Sequence, residues 1–490
     1  MITRTDTVAA TAIDDATDRG ESRPGQTRSV KAIAGSAKMA AVTSNALVAI
    51  LLTSLSVRAD PSVFPTATTR YDPQKAYNSY ILFSGADEKT HLVDMTGGEV
   101  HRWDHQGFPS TLLDPRLTGG KPGHVLVQTE TVSDTATGTT PGQASLFRNK
   151  TIAELDWDGS TVWQWGDKAP GGAARQHHDW SRLGNGNTLV LASLDHPVAG
   201  FTLPSVQDDV IYEVAPGGDI VWRWVASEHL DELGFSADEL ALVRKSPSAD
   251  YFHVNNMKPL GPNHWFDAGD QRFHPENVII DSRNANFIAI IDKKTGKVVW
   301  HLGPHFALPA PGAKAGLPRP VDQISGQHDA HLIPAGLPGA GNLLVFDNQG
   351  EAGYPPVPLK VFPASRVLEI NPVTQEIVWS YSGDDSGRPA WSFHSSFISN
   401  ARRLPNGNTF IDEGMNGRFF QVTPQGDIVW EYVSPYFGRS VIGSEKRKVS
   451  SNFVYRAQPV PYDWVPAGTP HAENAVVPPD PASYRVPAAH

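Results

Sequence analysis

The chain has no cysteine among its 490 residues. Disulfides, thiolate metal sites and cysteine nucleophiles are thereby excluded. It is poor in positive charge, with a formal net charge of −11, and no Lys/Arg run is long enough for a nucleic-acid patch. The short cluster Lys446-Arg447-Lys448 reads as a solvated loop. An anionic substrate would need a local cationic pocket, because the global field repels it. Long apolar runs are also scarce. The main one, Ala46-Leu47-Val48-Ala49-Ile50-Leu51-Leu52, falls short of the roughly 20 residues a membrane-spanning helix needs.

That run has a different use. Arg23, Arg28, Lys31 and Lys38 precede it, and Ser56-Val57-Arg58-Ala59 follows. A positive flank, a short apolar stretch and small residues make the shape of an export signal. Residues 1–59 are therefore expected to be a leader. The mature protein would begin near Asp60, be periplasmic or secreted, and keep no membrane attachment.

What is abundant is turn chemistry and one repeated phrase. The chain has 43 glycines and 40 prolines. Gly218-Asp219-Ile220-Val221-Trp222-Arg223-Trp224 is the plainest copy of the phrase. Close matches end around Trp163, Trp300, Trp379 and Trp430, and a looser one around Trp103. Each follows a β-rich run across a turn, as Ala289-Ile290-Ile291-Asp292 precedes Gly296-Lys297-Val298-Val299-Trp300. The five closer tryptophans lie 59, 78, 79 and 51 residues apart. Such intervals hold about four short strands and one variable loop, the period of a β-propeller blade. The expectation is an all-β, six-bladed β-propeller spanning residues 60–465, followed by a Pro/Ala-rich tail at 466–490. The first blade, from Tyr80 to Trp103, lacks an innermost strand. Residues 452–458 are expected to supply it and close the ring, since an open sheet edge is a liability.

Long loops join the last strand of one blade to the first strand of the next. They should share one face, with each following strand beginning beside the central channel. Those beginnings read Gln176-His177-His178-Asp179, Tyr251-Phe252-His253-Val254-Asn255, Gln327-His328-Asp329 and Ser392-Phe393-His394-Ser395. A lone histidine is more often a hydrogen-bonded structural residue. Four at one repeat position, with intervals of 75, 75 and 66 residues, point to a channel-mouth site. Arg283, beside the strand that begins at His253, suits a tetrahedral oxyanion. An ion pair with Asp281 or Asp329 is its structural alternative. Arg418 is a second candidate, placed near a hairpin.

Phe252-His253-Val254-Asn255-Asn256, Ser282-Arg283, the Trp300 phrase, Gln327-His328-Asp329-Ala330 and Phe346-Asp347-Asn348 together resemble the bacterial arylsulfotransferases. The likeness covers roughly residues 75–465. It implies transfer of a sulfuryl group from a phenolic sulfate ester to a phenolic acceptor, without a nucleotide sulfate donor, cofactor or metal. It also implies roles. His328 corresponds to the histidine that takes the sulfuryl group, His253 and Asn255 to the sulfate-binding pair, and Arg283 to the arginine of the Ser-Arg motif. His178, or its neighbour His177, matches the histidine of an earlier blade. His394 and Arg418 join as substrate-binding candidates. The chain departs from the family at Asn256 and Asp281, where serine is common, and in the longer hairpin 261–276.

Three other readings use the same residues. A metal-dependent propeller hydrolase or lyase would add Asp179 or Asp329 to the imidazoles. A quinone-dependent dehydrogenase also has Trp-ended repeats, but six copies rather than eight argue against it. In a ligand-binding propeller without catalysis, the channel histidines would be incidental.

Overall fold

The hairpin phrase folds as its pattern dictates. In the fourth blade Phe287–Ile291 is buried at every position, while Val298–Leu302 buries only Trp300 and Leu302. A strand covered on both faces reads as an unbroken apolar run, and one at the rim alternates. The turn between them needs Gly296 at φ 74°, a left-handed conformation that glycine adopts freely. Burying each of these isoleucines contributes about 1.5–3 kcal/mol.

The computed structural model describes residues 65–131, 149–305, 323–357, 360–441 and 448–478. The leader, its cleavage near Ala59, and Lys446 with Arg447 lie outside the described residues. Six small antiparallel sheets form a six-bladed β-propeller. The inner strands of the second to sixth blades are Thr111–Leu112, Gln176–Arg182, Val254–Pro259, His328–Leu332 and Asn400–Arg403. Among the described residues no helix is long and apolar enough to cross a membrane. The helix Ala237–Arg244 forms where its Ser236/Glu239 capping box predicts.

The repeated tryptophan has a specific task. Its indole N–H donates to a backbone carbonyl in the outer hairpin turn of the next blade. Trp103 reaches Asp156 O (3.1 Å), Trp165 reaches Gly218 O (3.0 Å) and Trp224 reaches Gly296 O (3.0 Å). Trp300 reaches Pro372 O (2.8 Å), Trp379 reaches Pro424 O (3.1 Å) and Trp430 reaches Met95 O (2.8 Å). The last bond joins the sixth blade to the first. Each contributes about 0.5–1.5 kcal/mol, and together they tie every blade to its neighbour.

The ring is closed from both ends of the chain. Ala457–Val460 pairs with Tyr80–Phe83 as the innermost strand of the first blade. This corrects the expected span of 452–458. Residues 454 and 455 bond instead to the sixth-blade connection, Val454 N–H to Gly414 O and Ser399 N–H to Tyr455 O. Pairing with the first blade begins only after them. A second closure had no sequence counterpart: Ala67–Tyr71 adds a fifth strand to the outer edge of the sixth blade. The beginning of the tail packs down, with Val476 bridging to Tyr71 and Tyr80 Oη donating to Thr469 O (2.8 Å).

Strand direction fixes the faces. The inner strand of the fourth blade runs from Val254, beside His253, to Pro259, and Val278–Ser282 returns to Arg283. The long hairpin 261–276 therefore lies at the end of the blade away from His253 and does not cover the channel mouth.

Candidate functional site

The channel mouth is built at the starts of the inner strands, and the backbone there is unusual. His178, His253 and Asp329 have φ of 56°, 52° and 61°. Left-handed backbone at non-glycine residues is uncommon and clusters at functional sites. The kink turns the histidines away from the strand and toward the channel.

His328 is 1% exposed. Its Nδ1 lies 2.8 Å from Asn348 Oδ1 and 3.1 Å from Gly326 O. On the other side of the ring, the Ile398 backbone N–H donates to Nε2 at 3.0 Å. Two acceptors at Nδ1 and one obligate donor at Nε2 fix a neutral ring with its proton on Nδ1. Burial, then the Arg283 guanidinium, then His253 and Arg456 hold its pKa well below the ordinary histidine value, against an opposing hydrogen bond from Asn348. His328 is therefore an uncharged imidazole at neutral pH.

His178 and His253 touch edge to face, ring centroids 4.5 Å apart. His177 Nδ1 lies 2.8 Å from His178 Nδ1. Burial, followed by His253, His177 and His328, pushes the His178 pKa well down. His253 Nδ1 lies 2.5 Å from Asp250 Oδ2, a carboxylate that orients the ring and supports a proton on it.

Arg283 arrives from the neighbouring strand, its N–H bonded to His253 O at 3.1 Å. Its guanidinium stands 5.7 Å from the Phe397 ring and donates to Asn284 Oδ1 at 3.3 Å. Its buried Nε has no hydrogen-bond partner among the described residues. A guanidinium so sparsely paired is suited to hold an anion. Burial lowers its pKa, opposed by Asp250 and Glu351. Asn255 uses one amide N–H on Gln327 O (3.0 Å), beside His328. The structure thus brings together His178, His253, Asn255, Arg283 and His328.

Two expected residues stand differently. The inner strand of the sixth blade begins at Asn400, not near His394. Ala390–Ser392 forms a 3-10 turn, and the segment to Ser399 crosses the channel mouth as a loop, with Ile398 in the strand-start position. His394 lies beside this loop, its Nδ1 3.4 Å from Ser365 Oγ. Arg418 is 1% exposed and lies in the third strand of the sixth blade. It donates to Glu413 Oε2 (2.7 Å) and to Glu431 Oε1 (2.8 and 2.5 Å). Its charge serves an internal ion-pair network rather than the channel mouth.

Tyr455 and Arg456 were not singled out in the sequence. Tyr455 Oη donates to Asn255 O at 2.8 Å, and its ring lies 5.4 Å from His178. Arg456 forms ion pairs with Asp179 (3.0 Å) and Asp329 (3.5 Å). They immediately precede the closing strand, so they occupy in the first blade the position that the histidines occupy elsewhere. The correct register of that strand would have revealed them. Asp179 and Asp329, the carboxylates available to a metal reading, are bonded to Lys258 (2.6 Å) and to Arg402, respectively. Among the described residues no three His, Asp or Glu side chains are arranged to hold a metal ion.

Solved structures resemble the chain at low identity. A protein of unknown function from Bacteroides caccae is 12% identical, covering 78% of this chain and 99% of that one, with TM-score 0.42. Virginiamycin B lyase from Staphylococcus aureus is 11% identical, covering 78% and 87%, with TM-score 0.33. No curated protein matches the chain. The model of the arylsulfotransferase (ASST) family matches residues 123–435, from the second blade through the outer strand of the sixth. That span holds His178, His253, Asn255, Arg283 and His328, and with it the chain belongs to the arylsulfotransferase family.

Proposed function

We propose that this arylsulfotransferase moves a sulfuryl group from a phenolic sulfate ester to a phenol, with His328 as the covalent carrier. The observation that carries the reading is the state of His328: a neutral ring with its lone pair on Nε2, beside a sparsely paired arginine.

In the first half-reaction Nε2 attacks sulfur. The N–S bond forms as the ester S–O bond breaks, and the bonding pair leaves on the donor phenolate. In the second, the acceptor oxygen attacks sulfur and the N–S pair returns to Nε2. A covalent intermediate divides one difficult transfer into two. His253, held by Asp250, gives a proton to the departing phenolate and takes one from the acceptor phenol, so the cycle closes without net proton loss. Arg283 and the remaining N–H of Asn255 neutralise the equatorial oxygens. In-line geometry and charge stabilisation are what such a group transfer needs. The low pKa of His328 keeps the nucleophile unprotonated, and His178 stays neutral beside it. The leader-like sequence before residue 60 supports export of the enzyme to the periplasm or medium.

The test is incubation with a chromogenic aryl sulfate, with and without a phenol acceptor. Ping-pong kinetics and one sulfuryl group on the protein from donor alone are expected. Steady donor hydrolysis that requires an added divalent cation would instead favour the metal-dependent hydrolase.

A further inference from the structure

Asn348 is fully buried at the end of the second strand of the fifth blade. Its Nδ2 donates twice, to Ser395 O (2.7 Å) and Ile398 O (2.8 Å). Its Oδ1 meets His328 Nδ1 at 2.8 Å. The amide cannot be turned over, because that would aim its oxygen at two carbonyl oxygens. The two loop carbonyls thereby dictate that an acceptor faces His328.

The same loop supplies the group at the other side of the ring. Ile398 N–H donates to His328 Nε2. Ile398 and Ser399 have φ of 57° and 92°, a conformation that a β-branched residue adopts only when its surroundings hold it there. Gly414 lies underneath; a Cβ on it would come within 2.8 Å of the Ile398 side chain. Ser395 Oγ closes the loop on Phe397 O (2.7 Å), and Phe397 carries the ring below Arg283. Attack by Nε2 requires the Ile398 N–H to release the lone pair, and a shift of that loop also moves Phe397 at Arg283.

We propose that Asn348 is a positioning residue that sets the tautomer of His328 and anchors the Ser395–Ser399 loop across its nucleophilic nitrogen. The kinetic part rests on the sulfotransfer reading; the tautomer part does not.

The test uses the full chain carrying ¹⁵N-labelled histidine, with the His328 signals identified by their loss in His328→Asn. The wild-type protein is expected to show a protonated Nδ1 and an unprotonated Nε2 at pH 7. Asn348→Ala is expected to mix the tautomers. It should lower kcat on the order of 10–100-fold, the usual cost of losing an orienting partner, while donor KM stays within about threefold. Asn348→Asp keeps an acceptor at Nδ1 and adds charge. Its His328 should remain Nδ1-protonated, with the acid limb of kcat/KM moved to higher pH, because a carboxylate beside an imidazole favours the imidazolium. A single unchanged tautomer in Asn348→Ala overturns the proposal, as does an unmoved acid limb in Asn348→Asp. If Asn348→Ala does not fold, Asn348→Asp decides. If the wild-type protein transfers no sulfuryl group, the sulfotransfer reading fails while the tautomer spectra still test Asn348.

Discussion

The fifth and sixth blades enter the channel in different ways. In the fifth, the inner strand starts at His328 itself, and the imidazole is presented with its lone pair toward the mouth. In the sixth, the chain makes a 3-10 turn and a left-handed loop before its strand begins at Asn400. It offers the channel a backbone N–H rather than a side chain. The charged residues of the sixth blade, Glu413, Arg418 and Glu431, are spent on one another. The same repeat position is chemical in one blade and scaffolding in the next, and substitutions should separate the two.

The largest effect is expected at His328. His328→Asn should abolish both transfer and labelling by donor, since an amide cannot serve as the nucleophile. Normal turnover by that variant would remove the proposed difference between the blades. On the scaffolding side, Arg418→Ala leaves two buried carboxylates without their cation. Breaking a buried pair from one side costs about 3–5 kcal/mol, to be read from the denaturant midpoint. A variant of normal stability with lost activity would move Arg418 back into the site.

Arg283→Ala should keep the fold and lower kcat/KM by about 10²–10³-fold, as when one charge-stabilising donor is removed. Labelling by donor should slow in parallel. A loss below about threefold would mean that its guanidinium does not face the sulfuryl oxygens.

The neutral histidines also predict an acid response. Burial lowers His177 to about 4 and His331 to about 3. In the unfolded chain both titrate near 6.5. Between those values the unfolded state binds more protons, so stability falls as pH drops. His177 alone should contribute a loss of about 3 kcal/mol between pH 6.5 and 4. Urea midpoints at pH 7, 5.5 and 4.5 check this; a flat profile would place the histidines in a wetter environment than their burial indicates.

The outer part of the fold was legible because it is periodic. The Trp phrase repeats with its turn, and neither depends on residues far away in the chain. The starts at His178, His253 and His328 follow from counting strands back from that phrase. What was illegible depends on partners that no local pattern encodes. Asn348 matters because the carbonyls of Ser395 and Ile398 reach it across some fifty residues. Tyr455 and Arg456 were hidden by a small error in the register of the closing strand. The strand Ala67–Tyr71 carries no copy of the phrase, so nothing marked it as part of the sixth blade.

His394 provides the finest test of the contrast, because its sequence position equates it with His328 and its structure does not. It precedes the strand by six residues and meets Ser365 rather than Asn348 or Arg283. Burial lowers its pKa, so at neutral pH it is an uncharged group on the loop that bounds the mouth. Such a group can shape where an acceptor ring rests, but it does not form the bond to sulfur. His394→Ala should therefore raise acceptor KM by about three- to tenfold, with kcat within about threefold and the pH profile unmoved, the signature of lost ground-state binding. Donor-only labelling should proceed at the wild-type rate, because it needs no acceptor. If labelling itself falls by about 10²-fold or more, His394 takes part in the first half-reaction, and the sixth blade contributes a side chain to the chemistry as the fifth does.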